Sequence, residues 1–375
     1  MRAAVIGLGF IGRAHVEALR RLGIDVAGIL STRTDKMAKA LNIPKAYRSL
    51  DELLADKTVD VVHVCTPNSM HCEQASKAIE AGKHVVCEKP LAMSTAETAS
   101  IIKLSKKHPK VCGAVAYNIR YYPLSYEARA AVKKGMIGEP RLVHGSYLQD
   151  WLTFPSDWNW RLEPEFGGTS RVTADIGTHW MDLITWIIGR QITQVCADLA
   201  TLVPVRQKPR GAVETFQESK DNAYDEIKIT TEDCASVLMR LEGGTRGVMT
   251  VSQISPGRKN RLWYEIDGSE GSLSWNGEEP NSLWFGERRN ANRVLIKDPS
   301  ILSPEARAFA GYPGGHAEGY PDTFVQFFKD FYAYVAAGDY SAPKPFPTFE
   351  DGHNEVKLCE AISESHKQMK WVTVK

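Results

Sequence analysis

The sequence predicts an α/β protein of two domains. Residues 1–122 read as a doubly wound parallel sheet, and residues 123–375 as an α+β domain built on a large, mostly antiparallel sheet. Three observations carry this reading. Apolar runs alternate with amphipathic stretches over the first third, the first run leads straight into three closely spaced glycines, and beyond Tyr122 the apolar pattern changes to period two. With 375 residues, of which 43% are hydrophobic, the chain can fill two cores.

In the first domain the apolar runs at 3–6, 25–30, 59–65, 84–87 and 111–116 are continuous, as expected of strands buried on both faces. Ligands of such sheets sit at the carboxyl ends of the strands. Residues 7–12, 31–33, 66–71, 88–90 and 117–121 should therefore share one edge. In the second domain, alternating runs at 142–149, 192–202, 235–241, 247–254, 262–267 and 272–275 predict strands divided by Gly and Asn turns. Helices are expected at 175–189 and 323–337, the second after a Pro/Gly-rich loop. A large sheet with helices on one side leaves its other face to be covered, so a homodimer or homotetramer is expected.

Composition narrows the partners. The net charge of +1 lacks the basic excess of a nucleic-acid or membrane-surface protein, which points to a small-molecule partner. Lys103, Lys106, Lys107 and Lys110 read as the solvated end of a helix. The seven cysteines are scattered, with no CxxC pair and no metal cage, and Cys65, Cys87 and Cys112 lie in or beside buried-strand patterns. A reduced, cytoplasmic setting is expected. No apolar run approaches the roughly twenty residues of a membrane span, and the first apolar segment reads as a strand rather than a signal sequence.

The glycines carry the first chemical signal. Gly7 permits a tight turn, Gly9 lets backbone N–H groups approach a pyrophosphate, and Gly12 lets the helix opening at Phe10 and Ile11 pack closely on the sheet. This is the dinucleotide turn of a Rossmann fold. An NAD-type site usually places an acid at the end of the second strand, against the ribose 2′-hydroxyl. Here the strand ends Ser31-Thr32-Arg33, with no acid before Asp35. Ser31 and Arg33 suit a 2′-phosphate, so the cofactor reading is NAD(P), slightly favouring NADP with use of both open.

Taken in order, Gly7, Gly9 and Gly12, then Thr66-Pro67-Asn68 with His71, Glu88-Lys89-Pro90, Asn118 with Arg120, and Asp175-Ile176-Gly177-Thr178-His179 resemble the Gfo/Idh/MocA family, the glucose–fructose oxidoreductases, inositol dehydrogenases and their relatives. The resemblance spans essentially the whole chain. It implies a cis peptide bond before Pro90 and a Lys89 beside the nicotinamide. It also implies that Glu88 accepts from a ribose hydroxyl, that Thr66, Pro67, Asn68 and His71 line the cofactor groove, and that Asn118 and Arg120 border nicotinamide or substrate. Residues 146–151 and 314–320 are similar to a sugar- and levoglucosan-oxidising branch.

The residues make chemical sense beside that likeness. Oxidising a secondary alcohol needs a cation for the forming alkoxide, a base for the proton and an aligned nicotinamide for the hydride. Lys89, at a strand end, suits the first role. His179 suits the second, with Asp175 four residues earlier on the same helix face, beside the apolar stripe Ile176, Trp180, Leu183, Ile184, Ile187 and Ile188. On spacing alone, Lys-Pro is a surface turn and the Asp/His pair a helix cap. Trp151, Phe154, Trp158 and Trp160 can stack on a pyranose while Gln149, Asp150 and Arg161 bind hydroxyls, with His316 and Glu318 completing the pocket. Core or interface packing is the alternative for the tryptophans. The expected activity is NAD(P)-dependent hydride transfer from a sugar, anhydrosugar or cyclitol hydroxyl. A redox-neutral NAD-dependent glycosidase or lyase, and a non-catalytic dinucleotide-sensing regulator, stay open.

Overall fold

The computed structural model describes residues 1–211 and 223–375. The chain divides into two units, the first made of Met1–Asn118, Asn159–Gly168 and Phe324–Val356, the second of Ile119–Trp158, Thr169–Thr323 and Lys357–Lys375. The leading segment of the first unit ends at Asn118. The two later segments join the first unit from afar, which periodicity read along the chain cannot reveal.

The first unit runs β1 (Arg2–Ile6), α1 (Phe10–Arg21), β2 (Asp25–Leu30), α2 (Thr34–Ala40), α3 (Leu50–Ala55), β3 (Val61–Val64), α4 (His71–Glu80), β4 (His84–Cys87), α5 (Thr95–Lys107) and β5 (Gly113–Val115). The strands form a wholly parallel sheet in the order β2-β1-β3-β4-β5. Since β1 has β2 on one side and β3 on the other, the chain reverses its direction of winding there. The crevice outside these two strand ends is where such sheets bind ligands. Side chains set the helix starts, with Ser49 accepting from the Glu52 N–H ahead of α3 and Ser94 from the Glu97 N–H ahead of α5.

The second unit opens with α6 (Pro123–Lys133) and β6 (Leu142–Leu148); α7 (Pro164–Gly167) belongs to the first unit. There follow α8 (Thr178–Ile188), β7 (Ile192–Ala200), β8 (Val205–Pro209), β9 (Tyr224–Lys228), β10 (Cys234–Leu241), β11 (Arg246–Ser252), β12 (Arg261–Asp267), β13 (Ser272–Asn276), β14 (Ser282–Gly286), β15 (Arg293–Ile296) and α9 (Pro304–Arg307). The chain ends with α10 (Tyr320–Ala337), α11 (Phe349–Gln368) and β16 (Val372–Thr373). Nine strands form one sheet in the order β15-β14-β13-β12-β6-β11-β10-β7-β16. It is antiparallel except where β6 lies parallel to β11.

Alternation decides what each strand buries. Val143, Tyr147, Val237, Met239, Met249, Val251, Leu262, Tyr264, Leu273 and Trp275 face the core with the expected stripe of Ile176, Trp180, Leu183, Ile184, Ile187 and Ile188. Gly145 makes room for that stripe, because a Cβ there would lie 2.7 Å from the Trp180 indole nitrogen, which donates to the Trp263 carbonyl at 2.9 Å. The opposite sheet face carries exposed Leu142, Leu238 and Val248.

One helix departs from its expected form. Residues 173–177 make a wider π turn, and α8 proper begins at Thr178 and ends at the left-handed Gly189. Asp175 thus sits on the π turn rather than on an α-helix. Glu232 satisfies the entry to this turn, accepting from the Ser170 hydroxyl and the Arg171 and Thr173 N–H groups. The expected helix at 323–337 starts three residues earlier. Helices α6, α7, α9 and α11 and strands β8, β9, β14, β15 and β16 went unexpected. All seven cysteines are free, and among the described residues no helix is long and apolar enough to cross a membrane.

Buried ions hold the loop that follows α9. Lys297 Nζ donates to the Tyr312 and His316 carbonyls, each at 2.9 Å, and to Glu318 Oε2 at 2.7 Å. Glu318 Oε1 accepts from the Gly311 N–H, and both charged side chains are almost wholly buried. Lys297→Met strands the carboxylate without its cation. The expected cost is about 3–5 kcal/mol, seen as a lower denaturation midpoint that adding Glu318→Gln partly restores.

Candidate active site

The glycine turn has the geometry that its sequence demands. Gly7 takes a φ of +86°, and a Cβ there would lie 2.4 Å from the Cys65 carbonyl oxygen. A Cβ on Gly12 would lie 1.9 Å from the Gly7 oxygen, so α1 packs on β1 at backbone distance. Nothing lies within 4 Å of the position a Gly9 Cβ would take. Gly9 caps α1 without a side-chain bond and the first turn holds no acid, so the positive end of the helix dipole suits an anion. These residues fit a dinucleotide pyrophosphate. At the end of β2, Thr32 and Arg33 are exposed and Ser31 half-buried, while Asp35 pairs with Arg48 at 2.6 Å.

Around the β3 and β4 ends, several expected site residues hold one another. His71 is buried, with Nδ1 2.8 Å from the Pro90 carbonyl and Nε2 2.9 Å from the Thr66 carbonyl. Burial lowers its pKa, opposed by those two carbonyls. His71 thereby ties the loop after β3 to the Lys89-Pro90 turn. The Lys89–Pro90 bond is cis. Asn68 donates to the Gly167 carbonyl at 2.9 Å, and the Thr66 hydroxyl to Gln74 at 2.7 Å. Pro67 precedes the single turn 68–70 that carries Asn68. Glu88 is buried, its Oε1 3.0 Å from His15 Nε2 and its Oε2 accepting the Lys89 N–H at 3.2 Å. Lys89 is half-buried beside it, and Asn118 is buried.

In the second unit a polar cluster occupies one end of the sheet's inward face. Asp175 accepts from Gln253 Nε2 at 2.7 Å, and Gln253 Oε1 accepts from Arg171 at 3.2 Å. A guanidinium can only donate, so the Gln253 oxygen must face Arg171 and its NH2 must face Asp175. Arg171 pairs in turn with Asp233, which also accepts from Arg206 and from the Leu202 and Val203 N–H groups. Burial alone would raise the Asp233 pKa, but Arg171 and these donors hold it below the ordinary value. His179 is buried, with its ring 6.3 Å from that of Tyr147. The Tyr147 hydroxyl donates to Asn260 at 2.6 Å, and burial pushes its pKa far up.

Other expected residues are spent on neighbours. Gln149 donates to Asn260 at 2.9 Å and accepts from the Trp151 indole at 2.8 Å. Asp150 holds Lys259 at 2.7 Å, Trp158 lies under Lys208, and Arg161 stacks on Trp160. Arg120 grips Asp182 with two nitrogens, and both are buried. His316 is exposed, its Nδ1 3.3 Å from the Gly314 carbonyl. Sequence reading missed Arg171, Gln253 and Asn260. For Gln253 a signal exists, since it continues the inward phase of Met249 and Val251 just past the end of β11, where a buried glutamine needs a reason.

Comparison with known proteins matches both halves of the chain. Residues 1–116 match the oxidoreductase family with an NAD-binding Rossmann fold, and residues 126–274 match the Gfo/Idh/MocA C-terminal domain. A levoglucosan dehydrogenase of Pseudarthrobacter phenanthrenivorans is 27% identical over 392 residues, covering 100% of this chain and 98% of that protein. The myo-inositol 2-dehydrogenase of Thermotoga maritima is 26% identical over 99% of this chain and 98% of its own. A levoglucosan dehydrogenase solved with NADH and L-sorbose superposes with a TM-score of 0.89 at 27% identity, over 100% of this chain and 99% of that one. With its glycine turn shaped for a dinucleotide and both halves matched, the chain belongs to the Gfo/Idh/MocA family of NAD-binding oxidoreductases.

Proposed function

We propose that this protein is a dehydrogenase that oxidises a secondary hydroxyl of a sugar, anhydrosugar or cyclitol. The observation that carries the reading is a glycine turn open to a pyrophosphate on the same sheet edge as Lys89. When bound, the dinucleotide supplies the nicotinamide that accepts the carbinol hydride. In this reading the Lys89 ammonium stabilises the developing alkoxide, and the His179 imidazole takes the hydroxyl proton. Asp175, fixed by the Gln253 amide, orients that histidine. The alcohol thus loses one hydride and one proton and becomes a ketone. Gln149, Trp158, Arg120 and His316 are the further residues proposed for substrate.

Lys89→Ala is expected to abolish turnover yet leave dinucleotide affinity within about threefold, because the ammonium acts where charge develops rather than on the pyrophosphate. Steady-state absorbance on pyranoses, inositols and anhydrosugars, with fluorescence titration of the dinucleotide, reads both. Loss of turnover and affinity together counts against the assigned role, and turnover without net NAD(P)H would indicate a redox-neutral lyase.

Exposed Arg33 and Thr32, half-buried Ser31 and the pairing of Asp35 with Arg48 support acceptance of a 2′-phosphate, hence use of NADP beside NAD. Arg33→Ala should lower kcat/KM for NADP about tenfold while moving that for NAD less than about twofold.

The uncovered sheet face supports a homo-oligomer of two or four copies. Leu238 and Val248 are direct neighbours across β10 and β11, 47% and 38% exposed. Light scattering should report an oligomer, and lysines at both positions should shift it to a monomer. Free cysteines, several of them buried, support a reducing, cytoplasmic setting.

A further inference from the structure

A line of buried polar groups beneath the β1 and β3 ends has no part in the mechanism above. Glu88 Oε1 lies 3.0 Å from His15 Nε2, His15 Nδ1 lies 3.0 Å from His63 Nδ1, and His63 Nε2 lies 2.9 Å from the Tyr332 hydroxyl. Neither histidine has exposed surface, and Glu88 and Tyr332 are only 6% and 4% exposed. The four come from α1, β3, the end of β4 and α10, and the rings of Phe324 and Phe328 pack on the imidazoles at about 5 Å. Among the groups facing the line are Cys65, whose Sγ is 3.3 Å from His15 Nδ1, and Cys87, His71 and Lys89 around Glu88. Asp60 acts on Tyr332.

Proton counting constrains this line. A carboxylate only accepts, so His15 Nε2 must carry a proton. With both rings neutral, His15 Nδ1 accepts from His63 Nδ1–H, and His63 Nε2 accepts from the Tyr332 hydroxyl. Burial together with His15 pushes the His63 pKa well down. The Glu88 carboxylate therefore meets a His15 N–H whose ring is held from its other side by His63.

We propose that His15 and His63 are positioning residues for the dinucleotide, acting through Glu88. They keep its carboxylate fixed, so that it stays oriented as an acceptor for a ribose hydroxyl. This rests on the reading that Glu88 contacts the ribose.

Two substitutions at one position separate this from packing. In His15→Gln the amide nitrogen falls near the Nε2 position and keeps the bond to Glu88; in His15→Asn the shorter amide keeps His63 in reach but not Glu88. NADH and NADPH affinities of the full-length protein, by fluorescence titration, are the readout. Wild type and His15→Gln should bind within about threefold of each other. His15→Asn should bind about tenfold more weakly, because the carboxylate has lost the donor that fixes it. Glu88→Gln should weaken binding as well. Wild-type binding by His15→Asn, with Glu88→Gln weakened, overturns the inference and leaves the ribose reading standing. Equal losses in the Asn and Gln variants also overturn it, assigning His15 to packing. Wild-type binding by Glu88→Gln removes the ribose reading and the inference with it.

Discussion

The contact between the Gly12 Cα and the Gly7 carbonyl is the constraint on which the first unit depends. No side chain fits between them, since even a Cβ would come to 1.9 Å of that oxygen. This closeness sets where α1 leaves the sheet, and so where its open N-terminus points. It also sets how far His15, one turn further along, reaches toward Glu88 at the end of β4. Were the helix set back by a methyl group, pyrophosphate cradle and buried polar line would shift together. Helix and sheet are hydrogen-bonded internally, so the sole freedom left to evolution at this junction is the size of two side chains, and it is spent on having none.

The second unit solves a different problem. A strand whose inward residues are apolar builds a core, but chemistry needs polar groups on that same face. Here the change comes at strand ends. Tyr147 passes to Gln149, Val251 to Gln253, and Asp233 precedes Ala235, all in the inward phase and all gathered at one end of the sheet. Hydrogen bonds and ion pairs then join these groups into the chain Arg206, Asp233, Arg171, Gln253, Asp175. Such a network stabilises little by itself, because burying charge costs about what pairing returns. Its effect is to leave Asp175 one orientation.

How much of this was legible in the sequence follows from which interactions are local. The parallel strands could be read because burial on both faces makes them continuously apolar, and the glycine turn because each glycine answers a backbone demand. The stripe from Ile176 to Ile188 was equally plain, and all of it is buried. The π turn at 173–177 was not: the group that satisfies its entry, Glu232, lies some sixty residues away and bonds the backbone of Arg171 and Thr173. Helix α11 escaped notice because its sequence is largely polar, carries Gly352 and divides its buried residues between two units. Strand β14 is only five residues long and reads as part of a turn-rich stretch. Partners such as Gln253 for Asp175, or His15 for Glu88, lie far apart in the chain and emerge only in three dimensions.

The parallel pairing of β6 with β11 bears on how the protein is made. Leu142 lies opposite Arg246 on one side and Asp267 on the other. The central strand of the nine thus leaves the ribosome long before either neighbour exists, with Val143 and Tyr147 unsheltered meanwhile. Contacts so distant along the chain close slowly, and exposed strand edges invite association with other nascent chains. Synthesis of this enzyme therefore includes an interval in which its sheet has a centre but no neighbours, and a chaperone that recognises an extended apolar segment would find its substrate there.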